Sequence, residues 1–318
     1  MRAIFRKAGI TVFERGWLSS NNVLFSPGVS GEAVLIDSGY ASHAEQTVAL
    51  VRGALKGRSL DRIINTHLHS DHCGGNQALQ QAFDCAIDVP SGEANRVDAW
   101  DEDALTYRAT GQRCARFRRT GSITAGDEFV TGRSRWQVLA APGHDPESIV
   151  LYEPDLQVLI SADALWANGF GVVFPELIGE PGFDDVRHTL EMLASLRVRC
   201  VIPGHGAPFD DFEPAIARAF KRLASLATDP ARHARHAAKV LIKFHMLEIQ
   251  SCTADDLNQW LDQVPYIAMT HRMHFANVRM GAWRVDLLSE LASSGALTID
   301  GPLTVSYTHL TLPTKRIV

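Results

Sequence analysis

Cysteine is scarce in this chain of 318 residues: Cys73, Cys85, Cys114, Cys200 and Cys252 stand singly, with no Cys-x-x-Cys pair. Isolated thiols in odd number exclude a disulfide framework and a thiolate zinc knuckle, and they suit a reducing, cytoplasmic setting. Long apolar runs are lacking too. No uncharged stretch approaches the ~20 residues of a membrane span, and the opening MRAIFRKAGITVFERGW has no continuous apolar core of a signal peptide, so no membrane role is expected. Nor is there an excess of basic charge: 31 Lys and Arg against 36 Asp and Glu give a formal charge of -5. That balance excludes a chain that coats nucleic acid along its length. No internal repeat and no low-complexity segment is present.

With 46% hydrophobic and 21% charged residues, the composition is that of a globular chain able to bury a large core, and the length predicts one large domain with a smaller appendage. Short β-branched runs come early: ITVF, NVLF, AVLID, then RIINT after the helix-like HAEQTVALVRGAL, and CAIDV after a Gly-Gly pair. DEDALTYRAT reads as a polar helix. WQVLAAPG, SIVLYE and LQVLISAD read as strands, and the amphipathic DDVRHTLEMLASL precedes the short apolar run CVIPGHG.

Beyond Phe212 the pattern turns helical, with Asp229-Pro230 as a break and restart and Thr253-Ala-Asp-Asp as another helix start. A last helix, RVDLLSELASS, stops at Gly295 before ALTIDGPLT. The expected division is 1–212 and 213–304. The closing VSYTHLTLPTKRIV, 305–318, looks like a translated sequencing adapter; it is set aside from fold reasoning, and native sequence is expected to end near Thr304.

Chemistry concentrates in NTHLHSDHCGGN, from Asn65 to Asn76. In an extended segment residues two apart point the same way, so His67 and His69 can grip one cation while Asp71 and His72 face a second. Gly74 and Gly75 are expected to allow a tight turn that tucks the next helix under the site. Three further ligand-type residues end strand-like runs: His144 after LAAPG, Asp163 after VLISA and His205 in VIPGHG. Loops held by a rigid sheet suit a preorganised metal site.

H-x-H-x-D-H followed by separate Gly-His, Asp and Gly-His-Gly positions resembles the metallo-β-lactamase superfamily, over roughly the first two-thirds of the chain. The resemblance implies an α/β (α+β) fold, a four-layer αββα sandwich with a small, mainly helical C-terminal region. It implies two divalent cations: His67, His69 and His144 around the first, Asp71, His72 and His205 around the second, and Asp163 bridging both. Asp37, at the end of AVLID, matches an aspartate that orients ligands from behind, or it caps a turn. A donor set of imidazoles and carboxylates without thiolate suits Zn²⁺ and also admits Fe or Mn.

The implied activity is hydrolysis of an ester or thioester by a hydroxide bridging the two metals, with Asp71 catalytic through orienting the water or taking its proton. Asp163 makes the ligand set look like the glyoxalase II type. The alternatives are a phosphodiesterase or nuclease, a lactonase, a β-lactamase, a persulfide dioxygenase, and a non-catalytic protein that binds nucleic acid or a partner.

Other residues have two readings. Trp166, Phe170 and Phe174 in LWANGFGVVFPELIG form either a substrate wall over the metals or ordinary core. Arg232, Arg235, Lys239 and Lys243 line one helical face, either solvated or an anion clamp for a coenzyme A or glutathione thioester or a nucleic-acid backbone. Cys73 is read as a small buried side chain. His43, His188, His233, His236, His245, His271 and His274 fit no ligand motif. The segment from Asp255 to Thr304 is read as a winged-helix-like appendage or a plain helical packing or dimerisation element. A small-molecule substrate is the expected partner, nucleic acid is less favoured, and a homodimer is allowed.

Overall fold

The structure, a computed structural model, describes residues 1–27, 31–131, 134–300 and 304–308. Because side chains alternate across a strand, a strand buried on both faces must be apolar throughout. In the two main sheets the strands Val34–Ile36, Ile149–Glu153, Val158–Ala162 and Cys200–Pro203 show it. The first is formed by β1 (Ile10–Phe13), β2 (Asn22–Phe25), β3 (Val34–Ile36), β4 (Arg62–Ile64), β5 (Ala86–Pro90) and β6 (Gly121–Ile123), in chain order. It is antiparallel through β3 and parallel from there on. The second holds β7 (Glu128–Thr131), β8 (Ser134–Ala140), β9 (Ile149–Glu153), β10 (Val158–Ala162) and β11 (Cys200–Pro203), ordered β11-β10-β9-β8-β7.

Val23, Phe25, Val34 and Ile36 face Trp136, Val138, Leu151 and Ile160 in an apolar layer between the sheets. Their neighbours Leu24 and Leu35 point the other way, against Val48, Val51 and Leu55. Those three lie on one face of the helix Ala44–Leu55, spaced at the three- and four-residue steps of a helical stripe. The chain-order helices are α1 (Arg2–Ala8), α2 (Ala44–Leu55), α3 (Ser70–Cys73), α4 (Asn76–Phe83), α5 (Ala94–Ala99), α6 (Tyr107–Thr110), α7 (Phe183–Ala194) and α8 (Phe212–Ala227). On the second sheet Val150 and Tyr152 face outward onto Leu190 and Leu193 of α7 and Ala219 and Leu223 of α8. Helix, sheet, sheet and helix make four layers, and the outer one runs past the compositional change at Phe212.

After α8 come α9 (Pro230–Ile249), β12 (Ser251–Thr253), α10 (Ala254–Gln263), α11 (Pro265–His274), α12 (Met280–Ser293), β13 (Leu297–Asp300) and β14 (Thr304–Tyr307). Asp229 caps α9 by accepting from the Arg232 backbone N–H at 3.0 Å, and Thr253 and Asp256 form a reciprocal capping box on α10. Strands β12, β14 and β13, in that order, make a small antiparallel sheet. Residues 305–308 of the suspected adapter segment are thus described, with 305–307 in the middle strand β14; 309–318 lie outside the described residues. A fourth apolar cluster joins Leu241 and Ile242 of α9, Leu257, Ile267 and Trp283 to Val172 and Leu177, which follow β10. No helix among the described residues is long and apolar enough to cross a membrane.

Two expectations need correction. DEDALTYRAT is helical only over Tyr107–Thr110. Asp101 Oδ1 accepts from the backbone N–H groups of Asp103 and Ala104 at 3.1 Å each, a local turn that competes with the helix. Gly74 has an ordinary helical φ of -63° and Gly75 one of -85°, so neither supplies a special turn. They are small because the chain packs there: a Cβ on Gly74 would lie 2.6 Å from the Ala41 nitrogen, and one on Gly75 2.4 Å from the Ser38 oxygen.

Phe25 is fully buried, its ring 5.0 Å from that of Trp136 and 6.4 Å from that of Phe129. Chemical denaturation of Phe25→Ala is expected to show a loss of about 3–5 kcal/mol. Val130→Ala, at an exposed position in β7, is expected to stay within about 0.5 kcal/mol of the parent.

Candidate metal centre

Strand ends place every ligand-type side chain. His67 and His69 lie on the loop that leaves β4, and Asp71 and His72 sit in the single turn of α3. His144 follows β8, Asp163 follows β10 and His205 follows β11. The β10 end is strained: its register with β11 shifts at Ala162, which has a φ of 45°. An L residue held in that left-handed region turns the next side chain, Asp163, out of the sheet.

The side chains meet in two buried groups, His67, His69 and His144 in one and Asp71, His72, Asp163 and His205 in the other; within each, one ligand atom per residue lies within 4.8 Å of the rest. Asp163 touches both. Its Oδ2 is 3.4 Å from His144 Nε2 and 3.8 Å from His205 Nε2, and its Oδ1 is 3.4 Å from His72 Nε2. Asp71 Oδ2 is 3.0 Å from His205 Nε2 and 3.8 Å from His72 Nε2. Gly204 makes room for this convergence, since a Cβ there would stand 2.1 Å from Asp163 Oδ1.

A hydrogen-bonded layer behind the groups sets which ring atoms face inward. Asp37, with a φ of 55°, accepts from His72 Nδ1 at 2.7 Å, from the Thr66 backbone N–H at 2.9 Å and from the Thr66 hydroxyl at 2.8 Å. The Thr66 hydroxyl in turn accepts from His67 Nδ1 at 3.1 Å. With both Nδ1 atoms donating, His67 and His72 each turn Nε2 toward the site. Those two nitrogens are buried and have no hydrogen-bond partner among the described residues. His144 Nδ1 donates to the Val172 carbonyl, which frees its Nε2 likewise.

Electrostatics agree with a cation site. Burial, then the neighbouring imidazoles, hold His67 well below its ordinary pKa, and burial brings His69 and His144 down to about 4. All three rings are neutral at pH 7. His69 Nδ1 and His144 Nε2 approach to 2.8 Å, a separation at which two ring nitrogens share either a proton or a cation. Burial opposes charge on His72 and on Asp71. The carboxylates of Asp37, Asp163 and Asp71 outweigh it and raise His72, while His72 and His205 outweigh it and lower Asp71. Asp163 is held well below the usual carboxylate range, chiefly by His205 and His72 against the cost of burial. Anionic carboxylates around His72, the neutral rings of His67, His69 and His144, and unpartnered buried nitrogens fit a pair of divalent cations, which would take the place of the proton that the carboxylates favour on His72.

A cavity of about 400 Å³ opens above the two groups. Trp166 and Phe174 line it as read from the sequence, with Trp166 Nε1 donating to Asp163 Oδ1 at 3.2 Å and the Phe174 ring 4.7 Å from that of His69. Phe170 does not line it. That ring is buried in the core of the second sheet, so its reading as a substrate residue is corrected to core packing. Cys73 is also buried and bonds to the carbonyls of Leu68 and His69 rather than joining a ligand group.

Sequence reasoning missed Trp17, which stacks on His205 with centroids 5.3 Å apart, and it missed the contribution of α9, whose Leu241, Phe244 and Leu247 form a wall. Neither carries a motif. It also missed Asp145, whose Oδ2 lies 3.8 Å from His69 Nε2; the signal available was its place directly after His144. Of the unassigned histidines, His233 Nε2 accepts from the Val173 backbone N–H at 3.1 Å and His245 stacks on Trp260.

A four-layer sandwich that gathers imidazoles and carboxylates at its strand ends defines a class of metal-binding α/β proteins. The chain belongs to the metallo-beta-lactamase superfamily, whose family model matches residues 15–205. Hydroxyacylglutathione hydrolase of Brucella anthropi is 31% identical over 188 residues, 58% of this chain and 60% of that enzyme. The chain therefore spans less than two-thirds of the length of this curated relative. A beta-lactamase domain protein from Burkholderia ambifaria shares the fold over 94% of this chain and 92% of its own, at 20% identity and a TM-score of 0.55. TTHA1623, solved in a di-iron-bound form, covers 65% of this chain and 98% of its own at 25% identity and a TM-score of 0.53.

Asp37 touches Thr66 and His72, near either end of the first ligand segment, without being a candidate ligand itself. Replacing it by Ala is expected to weaken metal binding by about 10- to 100-fold in chelator competition, through loss of the fixed His72 ring.

Proposed function

We propose that the chain is a metal-dependent hydrolase that splits an ester or thioester, in the manner of the hydroxyacylglutathione hydrolase it resembles. The observation that carries the reading is Asp163, a carboxylate in reach of both ligand groups, with unpartnered ring nitrogens on either side. His67, His69 and His144 would hold one cation, Asp71, His72 and His205 the other, and Asp163 would touch both. Zn²⁺ is the first candidate, with Fe or Mn admitted by the same donors. Two such cations would supply a water activated at neutral pH and polarise the carbonyl of the substrate.

The chain's own side chains do the rest. Asp71, its pKa depressed, is a poor proton acceptor and a strong hydrogen-bond acceptor, so its role is to orient the attacking water. Trp17, Trp166 and Phe174 exclude bulk water from the cavity. In the overall reaction the oxygen of water bonds to the acyl carbon, the carbon–sulfur bond breaks, and the thiol leaves with the proton. The C-terminal unit reads as winged-helix-like, on a small sheet ordered β12-β14-β13 in which β12 precedes α10–α12 and β13 and β14 follow them.

The test is turnover on a thioester, a lactone, a β-lactam and a short RNA, with oxygen consumption on a persulfide as a control. Fastest turnover on the thioester is expected, and fastest cleavage of RNA would replace the reading by a phosphodiesterase. Asp71→Ala and His205→Ala are each expected to lower bound metal from two equivalents to one by elemental analysis, and to remove most activity. Unchanged metal content with an unchanged rate would refute the assignment.

A further inference from the structure

The basic face of α9 is not uniform. Arg235 and Lys239 both close on Glu290, at 2.5 and 2.8 Å, and on α8 Arg218 closes on Asp211 at 2.6 Å. Arg222 of α8 and Lys243 of α9, which line the cavity above the metal centre, have no carboxylate within ion-pair distance among the described residues. Arg222 Nη2 donates to His236 Nε2 at 3.1 Å, its guanidinium lies over the Phe170 ring, and its Nε is buried without a partner. Burial lowers the pKa of both Arg222 and Lys243. Half-buried cations without a counter-charge are costly unless a ligand supplies one.

Arg222 and His236 also line a second cleft, of about 520 Å³, on the far side. Lys221 and Arg232 stand there without a carboxylate partner among the described residues, and no acidic side chain lines the cleft. A basic path therefore runs from the mouth of the metal cavity to the outer surface between α8 and α9, and the wall beside its inner end is apolar: Leu241, Phe244 and Leu247.

We propose that the substrate is an acyl thioester whose thiol carrier bears phosphate groups, as a coenzyme A thioester does. Its apolar arm lies along Leu241, Phe244 and Leu247, and its phosphates are held by Arg222, Lys243, Lys221 and Arg232. This rests on the hydrolase reading above. Four cations without carboxylates exceed the net charge of a glutathione-type peptide thiol, whose two carboxylates are offset by one ammonium, and the fork of arginine suits phosphate oxygens.

The test uses the metal-loaded full chain and one acetyl group on three thiols: coenzyme A, glutathione and neutral N-acetylcysteamine. Acetyl-coenzyme A is expected to have the highest kcat/KM, through KM, with an advantage that shrinks as salt rises. The double variant Lys221→Ala, Lys243→Ala keeps the Arg222–His236 contact and should raise KM for acetyl-coenzyme A about tenfold. Adenosine 3′,5′-bisphosphate, followed by calorimetry, is expected to bind the parent and to bind the variant about tenfold more weakly. A preference for S-acetylglutathione, or equal use of all three thioesters, overturns the proposal while the hydrolase reading stands. Bisphosphate binding with no thioester split removes the hydrolase reading and the substrate claim with it, leaving only an anion cleft. Equal bisphosphate binding by parent and variant, or short RNA bound more tightly than the bisphosphate, overturns it as well.

Discussion

Asp37 is a buried carboxylate that accepts three hydrogen bonds from two residues, His72 and Thr66, and the geometry of the metal centre depends on it. The Thr66 hydroxyl passes the restraint on to His67. Without a fixed acceptor behind them, two imidazoles in a nonpolar interior would present either nitrogen to the site. With it, both present Nε2, and the unpartnered state of those atoms follows from the same network.

The sandwich contributes rigidity to these loops. Each ligand-type side chain stands within a few residues of a strand of the two packed sheets, which restrains its backbone. The strained Ala162 shows where the fold gives up regularity to aim a side chain, and the close approach of Gly204 shows how little space the converging groups leave. Packing of Val172 and Leu177 against α9 and α10 ties the segment after Asp163 to the C-terminal helices. The same helices that wall the cavity thus hold one of its edges in place.

Charge is arranged with the same economy. Glu290 neutralises Arg235 and Lys239 in the middle of the α9 basic face, and Arg232 and Lys243 on either side of them have no carboxylate partner among the described residues. One helical stripe of Arg and Lys is therefore divided into paired and unpaired cations by what packs opposite each residue and not by spacing along the helix.

The sequence by itself determined the donor atoms. His67, His69, Asp71 and His72 were legible from their close spacing, and strand-like runs before His144, Asp163 and His205 put each of these at a strand end, while their meeting at one edge is set by the sheet order. Short continuous apolar runs made the central strands legible, because burial on both faces demands them. Caps at Asp229 and Thr253 were legible because they are local hydrogen bonds. Tertiary structure alone decided what depends on distant partners: that Gly74 and Gly75 are small for close packing, that Phe170 is core while Phe174 meets the site, that Trp17 stacks on His205, and which cations of α9 lack a carboxylate. Local chemistry is written in neighbouring residues, whereas contact across the chain is fixed only when its layers close.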